Sequence, residues 1–124
     1  MTATVLYIED NEDNACLVAR VLKRRATVSL VVVATGRQGL EYALAQPPAL
    51  ILLDRRLPDM PGDEVLRCLR SAPHTAYIPV VLVSGDDLAA GQLAVDEVLT
   101  KPFDITRLIA IIDRYCDDPP PGAR

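Results

Sequence analysis

The 124-residue sequence predicts an α/β fold, a doubly wound five-stranded parallel sheet flanked by helices. Three observations carry that expectation. Apolar or β-branched runs alternate with amphipathic stretches along the chain, the connections between them are too short for separate domains, and the runs end repeatedly on a polar or charged residue. Alternating strands and helices demand right-handed crossovers and therefore parallel strands between helix layers. Parallel strands in turn bring all their C-terminal ends to one rim, where open α/β sheets bind ligands.

Each element follows from local chemistry. Val5-Leu6-Tyr7-Ile8 reads as a first strand that delivers Glu9-Asp10. Asn11-Glu12-Asp13-Asn14 supplies capping and acidic groups for a helix N-terminus. The helix carries Leu17, Val18, Val21 and Leu22 on one stripe, with Lys23-Arg24-Arg25 at its positive end. Residues 28–33 form a β-branched second strand, and Thr35-Gly36 opens a helix with Leu40, Ala43 and Leu44 on its apolar face, stopped by Pro47-Pro48. Ala49-Leu50-Ile51-Leu52-Leu53-Asp54 is an unbroken apolar run, the pattern of a strand buried on both faces, with one carboxylate at its end. A loop follows, then a helix with Asp63 as its expected cap and Val65, Leu66 and Leu69 facing inward, ended by Pro73. Residues 78–83 read as a fourth strand beginning at a tolerable proline and delivering Ser84. A short helix over 88–93 is weakened by Gly91, and Glu97-Val98-Leu99-Thr100 is a brief fifth strand ending at Lys101-Pro102. The last helix is expected to bury Ile105, Leu108, Ile109, Ile112 and Cys116, with Asp104 as its cap. Residues 1–116 are thus expected to form one domain, and the acidic, proline-rich 117–124 a tail or linker.

Bulk properties narrow the function. A net charge of −4 and a pI near 4.9 argue against a nucleic-acid-binding surface. Cys16, Cys68 and Cys116 have no metal-site or disulfide spacing and are expected to be reduced and mostly buried. No apolar run approaches bilayer-spanning length and no signal peptide is visible, so a cytoplasmic protein without membrane contact is expected.

The chemistry lies in what the strands deliver: Glu9-Asp10, Asp54, Ser84 and Lys101. Taken singly, Asp54 reads equally as a turn residue, Glu9-Asp10 somewhat less readily as helix N-terminal acids, and Ser84 and Lys101-Pro102 more readily as a turn residue and as a strand end and loop. Convergent on one rim, they mean more. Three carboxylates repel unless a cation sits among them, and an oxygen-only donor set suits Mg²⁺. A lysine adds a point charge for a phosphoryl group, and an aspartate can serve as nucleophile.

With these motifs in order, Tyr-Ile-Glu9-Asp10-Asn, Leu-Leu-Asp54-Arg-Arg-Leu-Pro58-Asp-Met-Pro-Gly62, Ser84-Gly85 and Lys101-Pro102-Phe, the chain resembles the receiver domain of response regulators over residues 4 to 116. The resemblance implies the flavodoxin-like strand order 2-1-3-4-5. It implies that Asp54 accepts a phosphoryl group from a phosphohistidine, with a histidine kinase or histidine phosphotransfer protein as partner and no oligomeric state specified. Asp10 and Asp54 would ligate Mg²⁺ directly, Glu9 largely through water, and Arg56 through its carbonyl. Lys101 would pair with the phosphoryl group, Ser84 would move to hydrogen-bond it, Gly85 would leave room for it, and the Lys101–Pro102 bond would be cis. Such a protein catalyses only its own phosphotransfer and dephosphorylation.

Two departures bear on the readout. Only 17 positions separate Ser84 from Lys101, short of the family's usual spacing by more than one helical turn. Val98 stands where the family carries an aromatic residue coupled to the hydroxyl's movement. Arg56 and Asp86 would also pair across the mouth of the site and screen it from water. The alternatives are a phosphorylation-independent interaction module on the same fold, and a phosphohydrolase of the haloacid-dehalogenase type. The latter wants a second aspartate where this chain has Arg56.

Overall fold

The computed structural model describes residues 3–85 and 95–116. In chain order the elements are β1 (Ala3–Ile8), α1 (Glu12–Leu22), β2 (Val28–Val33), α2 (Gly36–Ala45), β3 (Leu50–Asp54), α3 (Gly62–Ser71), β4 (Val80–Ser84), β5 (Glu97–Thr100) and α4 (Ile105–Cys116). The strands form one parallel sheet in the order β2-β1-β3-β4-β5, as the resemblance implies. The expected helix over 88–93, Asp86 and the tail at 117–124 lie outside the described residues.

Side chains alternate across the sheet and build two cores. Val5, Tyr7, Leu50, Leu52, Val81, Val83 and Leu99 face α1 and α4, packing on Val18, Leu22, Leu108, Ile111 and Ile112. Leu6, Ile8, Ile51, Leu53, Val80 and Leu82 face α2 and α3, packing on Ala43, Val65, Leu66 and Leu69. All five residues of β3 and all five of β4 are buried. Each large aliphatic side chain so buried contributes roughly 1.5–3 kcal/mol, which makes the central strands a rigid mount for whatever stands at their ends.

Several local expectations need correction. Asp63 does not cap α3: the N-cap is Pro61, with no side-chain cap, and the Asp63 carboxylate instead pairs with Arg55 at 3.1 Å. The buried stripe of α4 is Leu108, Ile111, Ile112 and Cys116; Ile105 is exposed and Ile109 only partly covered, because the helix is rolled so that Ile111 meets the sheet. On α2, Leu44 is half exposed and the close contacts are made by Gly36, Gly39 and Ala43. A Cβ on Gly39 would stand 2.2 Å from Ile8 Cδ1, so this helix lies nearer the sheet than a side chain allows. Strand β4 begins at Val80, after Ile78 and Pro79. Of the three free cysteines, Cys16 is exposed, Cys68 partly covered and Cys116 buried. Asn11 and Thr35 cap α1 and α2 as expected, and the Asp104 carboxylate accepts from Arg107 N at the start of α4. No helix among the described residues is long and apolar enough to cross a membrane.

Candidate functional site

The register builds the site. Ile8 lies opposite Leu53, so the residues that follow them, Glu9 and Asp54, emerge side by side at the rim. Asp54 lies opposite Val83 on the other flank. Ser84 lies opposite Thr100, and its carbonyl accepts from Lys101 N at 2.9 Å, which brings the lysine to the same end of the sheet. Asp54, Arg55, Arg56, Ser84, Gly85 and Lys101 line a cleft of about 340 Å³. A Cβ on Gly85 would meet nothing within 4 Å, so the glycine leaves open space at the cleft wall. The Lys101–Pro102 bond is cis.

The charges are closely arranged. Glu9, Asp54 and Ser84 are buried, while Asp10 is exposed and Lys101 partly covered. Lys101 Nζ lies 3.2 Å from both Glu9 Oε1 and Asp54 Oδ2, a single cation shared by two carboxylates. Asp54 Oδ1 accepts from Arg56 N at 3.1 Å. Glu9 Oε1 accepts from Tyr7 Oη at 2.7 Å and Asn14 Nδ2 at 3.2 Å, and Oε2 accepts from Asn11 N at 3.3 Å. Behind Asp54 the chain closes on itself: Gly62 N donates to Arg55 O at 2.7 Å, and a Cβ on Gly62 would stand 2.5 Å from Asp54 O. Only a residue without a side chain fits against that carbonyl.

Burial pushes the Asp54 carboxyl up to about 6, with the hydrogen bond and charge of Glu9 adding to the rise and Arg56 N and Lys101 opposing it. Burial pushes Glu9 in the same direction, but hydrogen bonds with Asp54, Tyr7 and Lys101 outweigh it and hold Glu9 below the usual carboxylate range. The two acids therefore titrate as a pair, with the more tightly held proton on Asp54. Burial opposes the charge of Lys101, yet the facing Asp54 and Glu9 raise its pKa above the ordinary value. Tyr7 is held far above the ordinary phenol value by burial first and Glu9 second, so its hydroxyl remains a donor.

One carboxylate oxygen each from Glu9, Asp10 and Asp54 lie within 4.8 Å of one another. This all-oxygen set fits a hard divalent cation such as Mg²⁺ better than a softer metal that favours nitrogen or sulfur. Arg56 lies at the cleft, with an isolated bridge to Pro61; its expected partner Asp86 falls outside the described residues. Val98 packs on the core beneath α2 and α3, and its carbonyl accepts from Arg107 Nη2 at 3.1 Å. Sequence reasoning brought Glu9, Asp10, Asp54, Ser84 and Lys101 to one rim, and the structure does the same. It missed Tyr7 and Asn14 as partners of Glu9. The Tyr7 signal was available, since residues i and i+2 of a strand share a face.

Residues 5–113 match the family described as the response regulator receiver domain. The polar-differentiation response regulator DivK of Brucella ovis is 32% identical over 123 residues, covering 95% of this chain and 99% of that protein. The response regulator PleD of Caulobacter vibrioides is 35% identical over 118 residues, 89% of this chain and 25% of that protein. Among solved structures, the receiver domain of sensor histidine kinase PA1611 from Pseudomonas aeruginosa PAO1, described with a magnesium ion coordinated in its active site cleft, has a TM-score of 0.85 at 26% identity. The likeness covers 93% of this chain and 98% of that one. The chemotaxis response regulator CheY4 of Vibrio cholerae has a TM-score of 0.83 at 22% identity, a likeness of fold that covers 93% of this chain and 99% of that one.

Proposed function

Because the chain belongs to the response regulator receiver domain family, we propose that it is a phosphoacceptor that takes a phosphoryl group from a phosphohistidine onto Asp54 and thereby switches protein interactions. The observation that carries this reading is the buried Asp54 carboxylate at the end of β3, with Lys101 Nζ at 3.2 Å and the oxygens of Glu9 and Asp10 grouped beside it. A carboxylate oxygen of Asp54 forms the new P–O bond while the P–N bond to the donor imidazole breaks, its electron pair leaving with the nitrogen. Lys101 exchanges its contact with Asp54 for the phosphoryl oxygens, and the Ser84 hydroxyl, at the same cleft, donates to one of them. Glu9, Asp10 and Asp54, with the Arg56 carbonyl, are the residues that would hold Mg²⁺. Bound there, the ion supplies charge neutralisation for the carboxylates and the incoming phosphoryl oxygens.

The partner class is a histidine kinase or a histidine phosphotransfer protein, met in the cytoplasm, and the chain catalyses only its own phosphorylation and dephosphorylation. Support for the cation comes from the all-oxygen donor set and from the magnesium-bound receiver of PA1611. The test is intact mass after incubation with Mg²⁺ and acetyl phosphate, and separately with a phosphorylated kinase. The native chain is expected to gain one phosphoryl group and Asp54→Asn none. No gain with either donor would favour a phosphorylation-independent interaction module.

A further inference from the structure

Tyr7 is fully buried in the middle of the sheet, in the core formed with Val5, Leu50 and Leu52, and the proposed reaction gives its hydroxyl no role. A buried hydroxyl is unfavourable unless it is bonded, and this one donates to Glu9 Oε1 at 2.7 Å. It is the shortest of the contacts to that carboxylate. Oε1 also receives Asn14 Nδ2 and Lys101 Nζ, each at 3.2 Å, so three donors crowd one oxygen. Oε2 receives the Asn11 amide at 3.3 Å, a longer and weaker contact. The ring itself is braced: Phe103 meets it edge-on, centroids 6.4 Å apart and planes at 72°.

We propose that Tyr7 is a positioning residue for the cation site, its hydroxyl turning the Glu9 carboxylate so that Oε1 faces the protein's donors and Oε2 is presented to the cation or its bound water. The geometry requires it to act through Glu9. Tyr7 lies on β1 and Glu9 directly follows it, two positions on and towards the same side, so the strand end fixes the spacing between the two. The side chain at position 9 must then be long enough to meet the hydroxyl and still reach the rim. This inference rests on reading the rim as a cation site.

The test is calorimetric titration of Mg²⁺ into the native protein, Tyr7→Phe, Glu9→Gln and the double variant, at neutral pH without phosphodonor. Tyr7→Phe is expected to weaken Mg²⁺ binding about fivefold to tenfold, a fraction of the full worth of one hydrogen bond to a charged group, because the bond is already formed before the ion binds. In the Glu9→Gln background the same change is expected to alter binding less than about twofold, since a residue acting through Glu9 has nothing left to position. With acetyl phosphate at saturating Mg²⁺, Tyr7→Phe should reach the native rate, with only the half-saturating Mg²⁺ concentration raised. Unchanged affinity in Tyr7→Phe overturns the inference, as does an equal loss in both backgrounds. Failure of the native protein to bind Mg²⁺ overturns the cation reading itself, a separate result. Should Tyr7→Phe not fold, Phe103→Leu, at a partly exposed position, removes the brace instead. It is expected to lower affinity about twofold with Glu9 present and not at all in Glu9→Gln; no change in either background overturns the inference.

Discussion

Glu9 at the end of β1 and Asp54 at the end of β3 are neighbours delivered in the same way, each a carboxylate following a buried apolar strand. Their proton affinities nevertheless move in opposite directions, Asp54 up and Glu9 down. Burial acts on both, so burial does not separate them. Their mutual hydrogen bond does, raising Asp54 and lowering Glu9; Glu9 also collects Tyr7, Asn14, Asn11 and a share of Lys101, whereas Asp54 has Arg56 N and the other share of Lys101. Tyr7 beneath and Lys101 opposite thus favour Glu9 as an anion, and Asn14 of α1 adds a further contact. Asp54 is left less satisfied, and it faces the cleft.

The largest expected effect comes from removing the group that serves both ends. Lys101→Ala should slow phosphorylation by a phosphorylated donor about 100-fold, the scale of losing one preorganised charge at a reacting group, measured by single-turnover transfer. A smaller effect separates the two acids by pH. A carboxyl whose folded pKa is raised binds its proton more tightly in the native state, so its stabilisation is present at low pH and lost as pH rises toward about 6. Glu9 behaves oppositely, losing stabilisation only as pH falls below its ordinary range. Between about pH 4.5 and 6 the native chain without divalent cation should therefore lose about 1–2 kcal/mol relative to Asp54→Asn. Urea unfolding at several pH values reads this directly. Glu9→Gln should shift that loss to lower pH, because the neighbour that raises Asp54 is neutralised. A midpoint unmoved by Glu9→Gln would mean the two ends do not communicate. The smallest effect is Asn14→Ala, which takes one of several donors from Glu9 and should lower unfolding free energy by about 0.5–1.5 kcal/mol.

The central strands and their terminal acids were legible because unbroken apolar runs bounded by proline or acid have few other readings. The strand pattern that put Asp54 and Glu9 at one rim also held the Tyr7 contact. Within the run Val5-Leu6-Tyr7-Ile8, Tyr7 reads as one more apolar residue, and what gives its hydroxyl a partner is the burial of Glu9 above it. Other features depend on distant packing that local patterns do not encode. Asp63 looks like a helix cap, but Arg55, on the loop next to it, competes for the carboxylate and holds it. The N-terminus of α2 takes a second cap from Asp59, whose oxygens accept from Gly36 N and Arg37 N at 2.8 and 3.0 Å. That contact spans 23 positions and has no local signature. The roll of α4 that buries Ile111 in place of Ile105 is likewise set by the sheet it meets.

The seat of Gly62 against the Asp54 carbonyl has a bearing on how such a chain can drift in sequence. The turn behind Asp54 closes on main-chain atoms, through Gly62 N to Arg55 O and the bare glycine on Asp54 O. The side chains of Arg56, at the cleft, and of Pro58 are meanwhile exposed. A substitution at the exposed Pro58 changes the surface of the turn without touching the main-chain contacts that seat the carboxylate. A methyl group at position 62 would press on the backbone itself, at about 1–3 kcal/mol. The carboxylate is therefore seated by main chain at a position that admits no side chain, while the side chains of the turn that face solvent carry none of that load.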